Sequence, residues 1–198
     1  MPMRSHHPSA GMTDASDEAL VRWAQQGHRE AFGLLYDRYV ERIYGYCYRR
    51  LGEREAAQDA TAETFRKALA ALPTYHPSTF HAWLFAIGRH VVADAIRRHR
   101  PALPLEAATQ IPDSAPSLED VAVAQADLAS LVALLADLTP DQHDAVTLRL
   151  AGLTPAEIGA VMGKSRGAVD MTLHRALLRL RELMVTGPPA VVGGPDRG

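Results

Sequence analysis

The chain has very little cysteine: Cys47 is the single one among 198 residues. One cysteine excludes an internal disulfide and a cysteine-based metal cluster, and its place in an aromatic helical pattern predicts a small core residue. No apolar run approaches the ~18 residues that a membrane span needs, so membrane insertion is not expected. The N-terminal stretch has no apolar signal-peptide core, which predicts a disordered tail over residues 1–15 of a cytoplasmic protein.

The usual signatures of catalysis are missing as well. The sequence has no phosphate-binding glycine loop, no nucleophile motif and no ligand cluster at metal spacing. His81, His90 and His99 are nine residues apart, and nine residues rotate a helix by ~900°, so neighbouring histidines lie on opposite faces. We therefore expect no enzymatic activity, no metal, no other cofactor and no small-molecule substrate.

Basic residues are missing from one long stretch. Residues 101–148 contain no lysine or arginine and eight acidic residues, whereas residues 1–100 and 149–198 each have a net charge of +3. The overall net charge of −2 therefore conceals two basic blocks separated by an acidic one. Such a chain can still bind nucleic acid, because the phosphate field extends only over about a Debye length, ~10 Å.

What the sequence does contain is a helix-turn-helix pattern from Thr154 to Arg181. Thr154 and Glu157 form a capping box around Pro155, and Gly163 can end this short helix in the left-handed conformation. Ser165 can cap a second helix, whose apolar stripe consists of Val169, Leu173, Ala176, Leu177, Leu180 and Met184. Off this stripe lie Lys164, Arg166, His174 and Arg175. The pattern favours DNA binding, with an ordinary pair of bundle helices as the alternative.

The rest of the chain predicts an all-α fold of two small helical domains. Helical periodicity runs through residues 16–100, and again through residues 117–184, where four helices end in the helix-turn-helix. Between them, residues 101–116 are rich in proline and lack cationic side chains, which predicts a flexible acidic linker. The glycine- and proline-rich residues 185–198 predict a second disordered tail.

The third predicted helix, from about residue 53 to residue 72, has an acidic outer side. Glu55, Asp59 and Glu63 recur every four residues, and like charges at this spacing repel by a few tenths of a kcal/mol. Lys67 can pair with Glu63 and relieve part of this repulsion. The three carboxylates form either a solvated face or an edge for a basic partner protein.

The helix from Phe80 to Arg100 also has two interpretations. Phe80 and Trp83 belong to its core-facing side, and the loop before it includes Ser78, a candidate N-cap. The cationic residues at its end favour the helix dipole. The same residues could instead neutralise DNA phosphates.

Taken in order, these motifs resemble those of the extracytoplasmic-function (ECF) sigma factors, which are small bacterial transcription initiation subunits. The resemblance covers about residues 17–184. The family's polymerase-binding segment resembles GHREAFGLLYDRYVERIYGYCYRRLGEREAAQDATAETFRKAL, and its −10-recognition helix resembles TFHAWLFAIGRHVVADAIRRHR. Its −35-binding domain resembles LTPDQHDAVTLRLAGLTPAEIGAVMGKSRGAVDMTLHRALLRLRELM.

The resemblance implies that the chain binds core RNA polymerase, recognises promoter DNA and promotes strand opening. The positions that match the segment docking on a coiled coil of the largest polymerase subunit are Glu55, Asp59, Glu63 and Phe65. Those that match the capture of a flipped −10 base and the adjoining helix are His76, Ser78, Thr79, Phe80, Trp83, Arg89, His90, Arg97 and Arg98. Those that match −35 recognition are Lys164, Ser165, Arg166, Asp170, His174 and Arg175. Many family members are also held by an anti-sigma factor, although nothing in this sequence identifies one.

Four positions depart from the family's pattern. Ala62 replaces a common glutamine in the polymerase-binding helix, and His90 replaces a common asparagine. Asp170 and Met171 occupy recognition positions that are often basic or polar, so the promoter sequence cannot be inherited from relatives. The alternative function is a conventional helix-turn-helix regulator, with residues 17–100 as a sensing or dimerisation domain.

Overall fold

Two groups of helices make up the protein. The computed structural model describes residues 12–76, 79–98 and 130–186. The first group is α1 (Asp17–Gln25), α2 (Arg29–Leu51), α3 (Arg54–Ala71) and α4 (Phe80–Arg98), with a 3-10 turn at Leu72–Thr74. The second is α5, described over residues 130–136, then α6 (Pro140–Leu150), α7 (Pro155–Met162) and α8 (Arg166–Thr186). No strand occurs in these ranges, which confirms an all-α fold of two helical domains, whereas the predicted linker 101–116 lies outside them.

Local capping chemistry sets several helix ends as predicted. The Ala19 amide donates a hydrogen bond to Ser16 Oγ at 3.3 Å, which caps α1. Thr154 and Glu157 form the expected capping box at the start of α7. Gly163 follows α7 with φ of +67°, a left-handed conformation that favours glycine. The turn of the helix-turn-helix is therefore encoded by residues adjacent to it.

Large side chains from α2 and α4 fill the centre of the N-terminal domain. Leu35, Ile43, Tyr46 and Phe85 are fully buried, and the rings of Tyr46 and Phe85 meet edge to face at 5.7 Å. Burying each such side chain contributes about 1.5–3 kcal/mol. Cys47 is also buried, as expected of a small core residue.

The two domains pack directly against each other. Helix α4 contacts α7, and α2 contacts α6. One continuous apolar core includes Ile43 and Phe85 from the N-terminal domain together with Leu148, Leu153 and Ile158 from the C-terminal domain. Interdomain packing on this scale was not evident from the sequence pattern.

This packing also changes which residues of the C-terminal helices are buried. Leu150, expected to face inward, is 54% exposed, because α6 instead buries residues toward both α8 and α2. On α8, Leu177 and Met184 are exposed, whereas Leu183 is buried. Val169, Ala176 and Leu183 are the buried residues of α8, and their spacing of seven defines a narrower apolar stripe than expected.

Candidate nucleic-acid and polymerase interfaces

The acidic residues of α3 form an accessible edge. Glu55 and Asp59 are exposed, and Glu63 is half-buried. Arg66 donates two hydrogen bonds to Glu63 at 2.6 and 2.7 Å, which lowers the pKa of that carboxyl. The expected partner, Lys67, is more distant, at 3.8 Å from Glu63. We call Glu55, Asp59 and Glu63 the docking edge.

Phe65 lies behind this edge. It is only 5% exposed, and its ring packs on Tyr36 with the ring centres 4.6 Å apart. Tyr36 is 41% exposed. Phe65 can therefore act at a partner surface mainly by fixing the position of Tyr36.

Aromatic side chains support the loop that precedes α4. The rings of Tyr75 and Trp83 lie 4.6 Å apart, and Phe80 lies 5.6 Å from Trp83. Phe80 is buried, whereas His76 and Thr79 are exposed on either side of the undescribed pair 77–78, which contains Ser78. The loop, which we call the capture loop (residues 76–80), thus rests on an aromatic platform.

A side chain from α1 fastens the chain just before the capture loop. Gln25 Nε2 donates hydrogen bonds to the carbonyl oxygens of Leu72 and Tyr75, each at 2.9 Å. These two acceptors belong to the first residue of the 3-10 turn (Leu72–Thr74) and to the residue that follows the turn. Gln25, which sequence reasoning missed, therefore sets where the loop leaves the helical domain.

The outer end of α4 is basic and accessible. His90, Arg97 and Arg98 are exposed. His90 Nδ1 lies 2.7 Å from the Ala86 carbonyl oxygen, within its own helix, and Arg97 pairs with Asp94. These side chains are available to a phosphate backbone that follows this helix.

Arg89, on the same helix, is engaged by the C-terminal domain, and 30% of its side chain stays exposed. Its Nε donates a hydrogen bond to Asp144 Oδ2 on α6 at 2.8 Å. Arg50, from the end of α2, places its Nε 3.0 Å from the other oxygen, Asp144 Oδ1. That second pair is an ion pair without a hydrogen bond, because neither atom has a hydrogen-bond partner among the described residues. We call Arg50, Arg89 and Asp144 the interdomain ion site.

Two further polar contacts join α2 to the α6 region. Arg42 donates from Nε and Nη2 to the Ala151 carbonyl oxygen, at 3.0 and 2.7 Å. His143 Nε2 lies 2.9 Å from the Arg49 carbonyl oxygen. Burial, and next the charge of Arg50, lower the pKa of His143. This histidine is therefore held in its neutral form, as a donor to the carbonyl.

A third contact joins α4 to the helix-turn-helix. His81 Nε2 lies 3.0 Å from Glu157 Oε1. The other oxygen of Glu157 accepts from the Thr154 hydroxyl at 2.8 Å. Burial opposes ionisation of Glu157, but the hydrogen bonds from Thr154 and His81 keep its pKa below the usual value. One residue thus both caps α7 and fastens the domains together.

The second helix of the helix-turn-helix, α8, is accessible, whereas Arg89 on α4 is engaged by the C-terminal domain. Ser165 Oγ accepts from the Ala168 amide at 3.3 Å and so caps the helix. The exposed side chains are those of Ser165, Arg166, Asp170, His174 and Arg175. Lys164 is half-buried and donates to Asp141 at 2.5 Å, and Arg166 lies 3.8 Å from Asp170. Asp170 therefore offsets part of the positive charge on this face.

The structure also shows which functional candidates the sequence concealed. Arg50 was visible as one of several cations in α2, and Asp144 as one acid in a short amphipathic helix. No local pattern pairs them, because the pairing depends on how the domains dock. In the described ranges, no set of three or more histidine, cysteine, aspartate or glutamate side chains could hold a metal ion. Within those ranges, no helix combines the length and apolar character of a transmembrane span.

Two family models match separate parts of the chain. Sigma-70 region 2 matches residues 35–102, and Sigma-70, region 4 matches residues 128–180. The chain is 37% identical to the ECF RNA polymerase sigma factor BldN of Streptomyces coelicolor over 182 residues, which are 89% of this chain and 69% of BldN. It is 36% identical to ShbA of Streptomyces griseus over 178 residues, with coverage of 83% and 93%.

Solved structures extend the similarity to three dimensions. CnrH, solved in complex with the cytosolic domain of CnrY, matches with a TM-score of 0.70 at 26% identity, covering 86% of this chain and 98% of CnrH. The sigma factor RpoE of Bartonella quintana, solved with the anti-sigma factor NepR, matches with a TM-score of 0.64 at 22% identity. The second match shows a shared fold alone.

Proposed function

Because this chain belongs to the extracytoplasmic-function sigma factors of bacterial RNA polymerase, we propose that its two domains divide promoter recognition along the boundaries expected from sequence. The chain binds core RNA polymerase, recognises −10 and −35 promoter elements and promotes DNA opening. Residues 16–100 bind polymerase and the −10 element, and residues 117–184 bind the −35 element. Residues 101–116 connect the two as a linker.

The docking edge is the proposed polymerase contact. Its carboxylates are accessible on one side of α3, and Tyr36 adds an exposed aromatic ring that rests on Phe65. An acidic edge beside an aromatic ring suits a basic partner, because electrostatic complementarity steers association and fixes the register of a complex. The partner is the coiled coil of the largest polymerase subunit.

The capture loop and α4 are the proposed −10 site. The observation that carries this assignment is the aromatic platform of Tyr75, Phe80 and Trp83 beneath an exposed loop. A protein that holds DNA open must trap an unstacked base, and aromatic side chains supply both the stacking surface and the rigid pocket wall. The residues proposed to contact the unstacked base are His76, Ser78 and Thr79. The cationic residues of α4 that contact the backbone are Arg89, His90, Arg97 and Arg98.

The exposed face of α8 is the proposed −35 site. Ser165, Arg166, His174 and Arg175 present donors, as recognition helices do when they enter the major groove. Lys164 adds positive charge at the helix start. Asp170 adds a carboxylate to this face, and a carboxylate at a base edge selects the cytosine N4 amino group.

Regulation and location are part of the same proposal. CnrH was solved with the cytosolic domain of CnrY, so we propose that this chain, too, is held by an anti-sigma protein until a signal releases it. Sigma factors are initiation factors rather than enzymes, and we propose that this chain catalyses no reaction and uses no cofactor. Its place of action is the cytoplasm, with core polymerase and promoter DNA as partners.

Transcription with purified core polymerase tests the proposal. Core enzyme alone and core enzyme with this chain are given a library of genomic fragments, and run-off transcripts are sequenced. We expect a defined set of start sites that requires the chain. No chain-dependent start site, together with tight binding of one duplex operator by the chain alone, would instead establish a conventional helix-turn-helix regulator.

A further inference from the structure

Two arginines from different helices of the N-terminal domain converge on one anion. Arg50 comes from α2 and Arg89 from α4, and each approaches a different oxygen of Asp144, at 3.0 and 2.8 Å. Guanidinium groups carry planar donor arrays that match carboxylate and phosphate oxygens. Two guanidinium charges against one carboxylate leave an excess of positive charge that a single aspartate does not neutralise.

Arg50, Arg89 and Asp144 form a partly buried site rather than a chance contact on the surface. The side chains of Arg50 and Asp144 are only 11% and 9% exposed. Nearby, the hydroxyl of the fully buried Tyr46 has no hydrogen-bond partner among the described residues, and Asp144 and both arginines are close enough to influence it electrostatically. The carboxylate therefore leaves donor capacity unused at Arg50 Nε and at Tyr46. A DNA backbone phosphate presents two anionic oxygens to a pair of guanidinium groups, as a carboxylate does, so it can take the same place.

The site lies on the helix that carries the proposed −10 backbone contacts. Arg89 lies about two turns before the exposed Arg97 and Arg98 on α4, yet it is engaged with another domain. Arg42 and His143 hold the same helix region against α2, so movement of α6 that carries Asp144 away would also break these contacts. Occupation of the arginine pair is thus coupled to the closed arrangement of the domains.

From this geometry we propose that Arg50 and Arg89 form a binding site for a DNA backbone phosphate, which Asp144 occupies intramolecularly in the free chain. Asp144 substitutes for the phosphate and closes the −10 surface. Opening of the domains withdraws the carboxylate and exposes both guanidinium groups to the DNA strand. The inference rests on the proposed −10 role of α4 and adds Arg50 to it.

Binding of a single-stranded dT20 oligonucleotide to the full-length chain tests the site without polymerase. Asp144→Asn keeps the shape of the side chain and removes its charge. We expect about tenfold tighter binding by fluorescence anisotropy, with a steeper dependence on salt because further phosphates are neutralised. Asp137→Asn is the matched control, since it makes the same charge change at an exposed position seven residues away. It should bind like the wild type.

A second substitution identifies the exposed groups. Adding Arg50→Ala to Asp144→Asn should abolish the gain and lower the salt slope by about 0.7, the value for one phosphate on a single strand. Arg42→Ala opens the interface by another route, through loss of the two bonds to Ala151, and its gain should likewise depend on Arg50. If circular dichroism shows that Asp144→Asn is unfolded, Arg42→Ala still tests the site.

Two results would overturn the inference. One is dT20 binding by Asp144→Asn that is no tighter than by Asp137→Asn, in a folded protein. The other is a gain in affinity that persists when Arg50 is replaced. Run-off transcription with core polymerase reports on the proposed function separately, so a chain that initiates transcription but fails these tests loses only the phosphate site.

Discussion

The proposed −35 and −10 surfaces differ in how accessible they are in the free chain. The recognition face of α8 is open, with Arg166, His174 and Arg175 all exposed. The proposed −10 helix, α4, is exposed at His90 and at its C-terminal end, but Asp144 engages Arg89 in its middle and Glu157 engages His81 at its start. A free chain of this form can approach duplex DNA through α8 before α4 is able to hold a separated strand.

This difference suggests an order of events. Duplex −35 recognition requires no rearrangement, whereas strand capture requires the domains to separate. A ligand shifts such an equilibrium only through a difference in its affinity for the two states. Polymerase and opened DNA supply this difference in affinity if they bind the form with separated domains. In their absence the domains stay packed, which limits premature binding to single strands.

The largest effect on binding is expected at the docking edge, which is accessible while the two domains are packed together. Asp59→Arg combined with Glu63→Arg places positive charge opposite a basic partner, and like-charge contacts cost several kcal/mol, roughly 100-fold in affinity. A pull-down or titration with core polymerase measures this loss. Glu30→Arg with Asp37→Arg makes the same charge change at exposed positions of α2 and serves as the control. Equal affinities for the two double variants would remove the docking claim.

A smaller loss is expected when the capture loop is released from α1. Gln25→Ala removes two hydrogen bonds to backbone carbonyls, together worth about 1 kcal/mol at this accessible position, or roughly fivefold. Binding of polymerase holoenzyme to a fork-junction −10 template should weaken by that factor, while −35 duplex binding stays constant. Gln25→Glu has the same shape but cannot donate, so it should behave like alanine. Full activity of Gln25→Glu would show that the donated bonds do not matter.

A loss of a few-fold is expected on the open −35 face. Arg175→Ala should weaken binding of duplex −35 DNA across all sequences and reduce the salt slope by about one. Arg179→Ala, one turn further along α8, removes the same charge from a residue already 3.4 Å from Glu182 and is the control. An unaltered slope for Arg175→Ala would mean that this side chain does not contact phosphate.

The smallest effect is expected for duplex −35 binding when the contact between the domains is weakened. Asp144→Asn should leave duplex −35 affinity unchanged, because α8 is accessible in both arrangements of the domains. Asp170→Asn provides a positive control on duplex DNA of unrelated sequence, where no cytosine contact is lost, since it frees Arg166 and should strengthen that binding. A rise in −35 affinity for Asp144→Asn would show that the closed arrangement also restrains α8.

The sequence predicted those features that depend on neighbouring residues. The capping box of Thr154 and Glu157, the left-handed Gly163 and the accessible face of α8 all follow from spacings of a few residues. The interdomain contacts have no such signature, because the partners Arg42 and Ala151 are 109 positions apart and Arg49 and His143 are 94 apart.

The lack of a local signature for interdomain packing also explains why the burial of some residues was predicted wrongly. Leu150 was expected inside because a single buried face was assumed for α6. That helix packs against α8 and α2 together, so its inward directions include those of Ala145 and Leu148. The role of Arg89 was predicted from the family pattern, but its covering by Asp144 depends on domain docking, which no periodicity encodes.

A distance measurement between the domains tests most directly whether they stay packed over the proposed −10 surface in the free chain. Leu69 on α3 and Leu177 on α8, each 53% exposed, can be replaced by cysteine and spin-labelled. The native Cys47 is buried, which raises the pKa of its thiol to about 12 and protects it from the label. For the free chain, we predict one narrow distance distribution, which becomes long and broad when Arg42→Ala and Asp144→Asn are combined. A broad distribution in the free chain that this double substitution leaves unchanged would contradict the account.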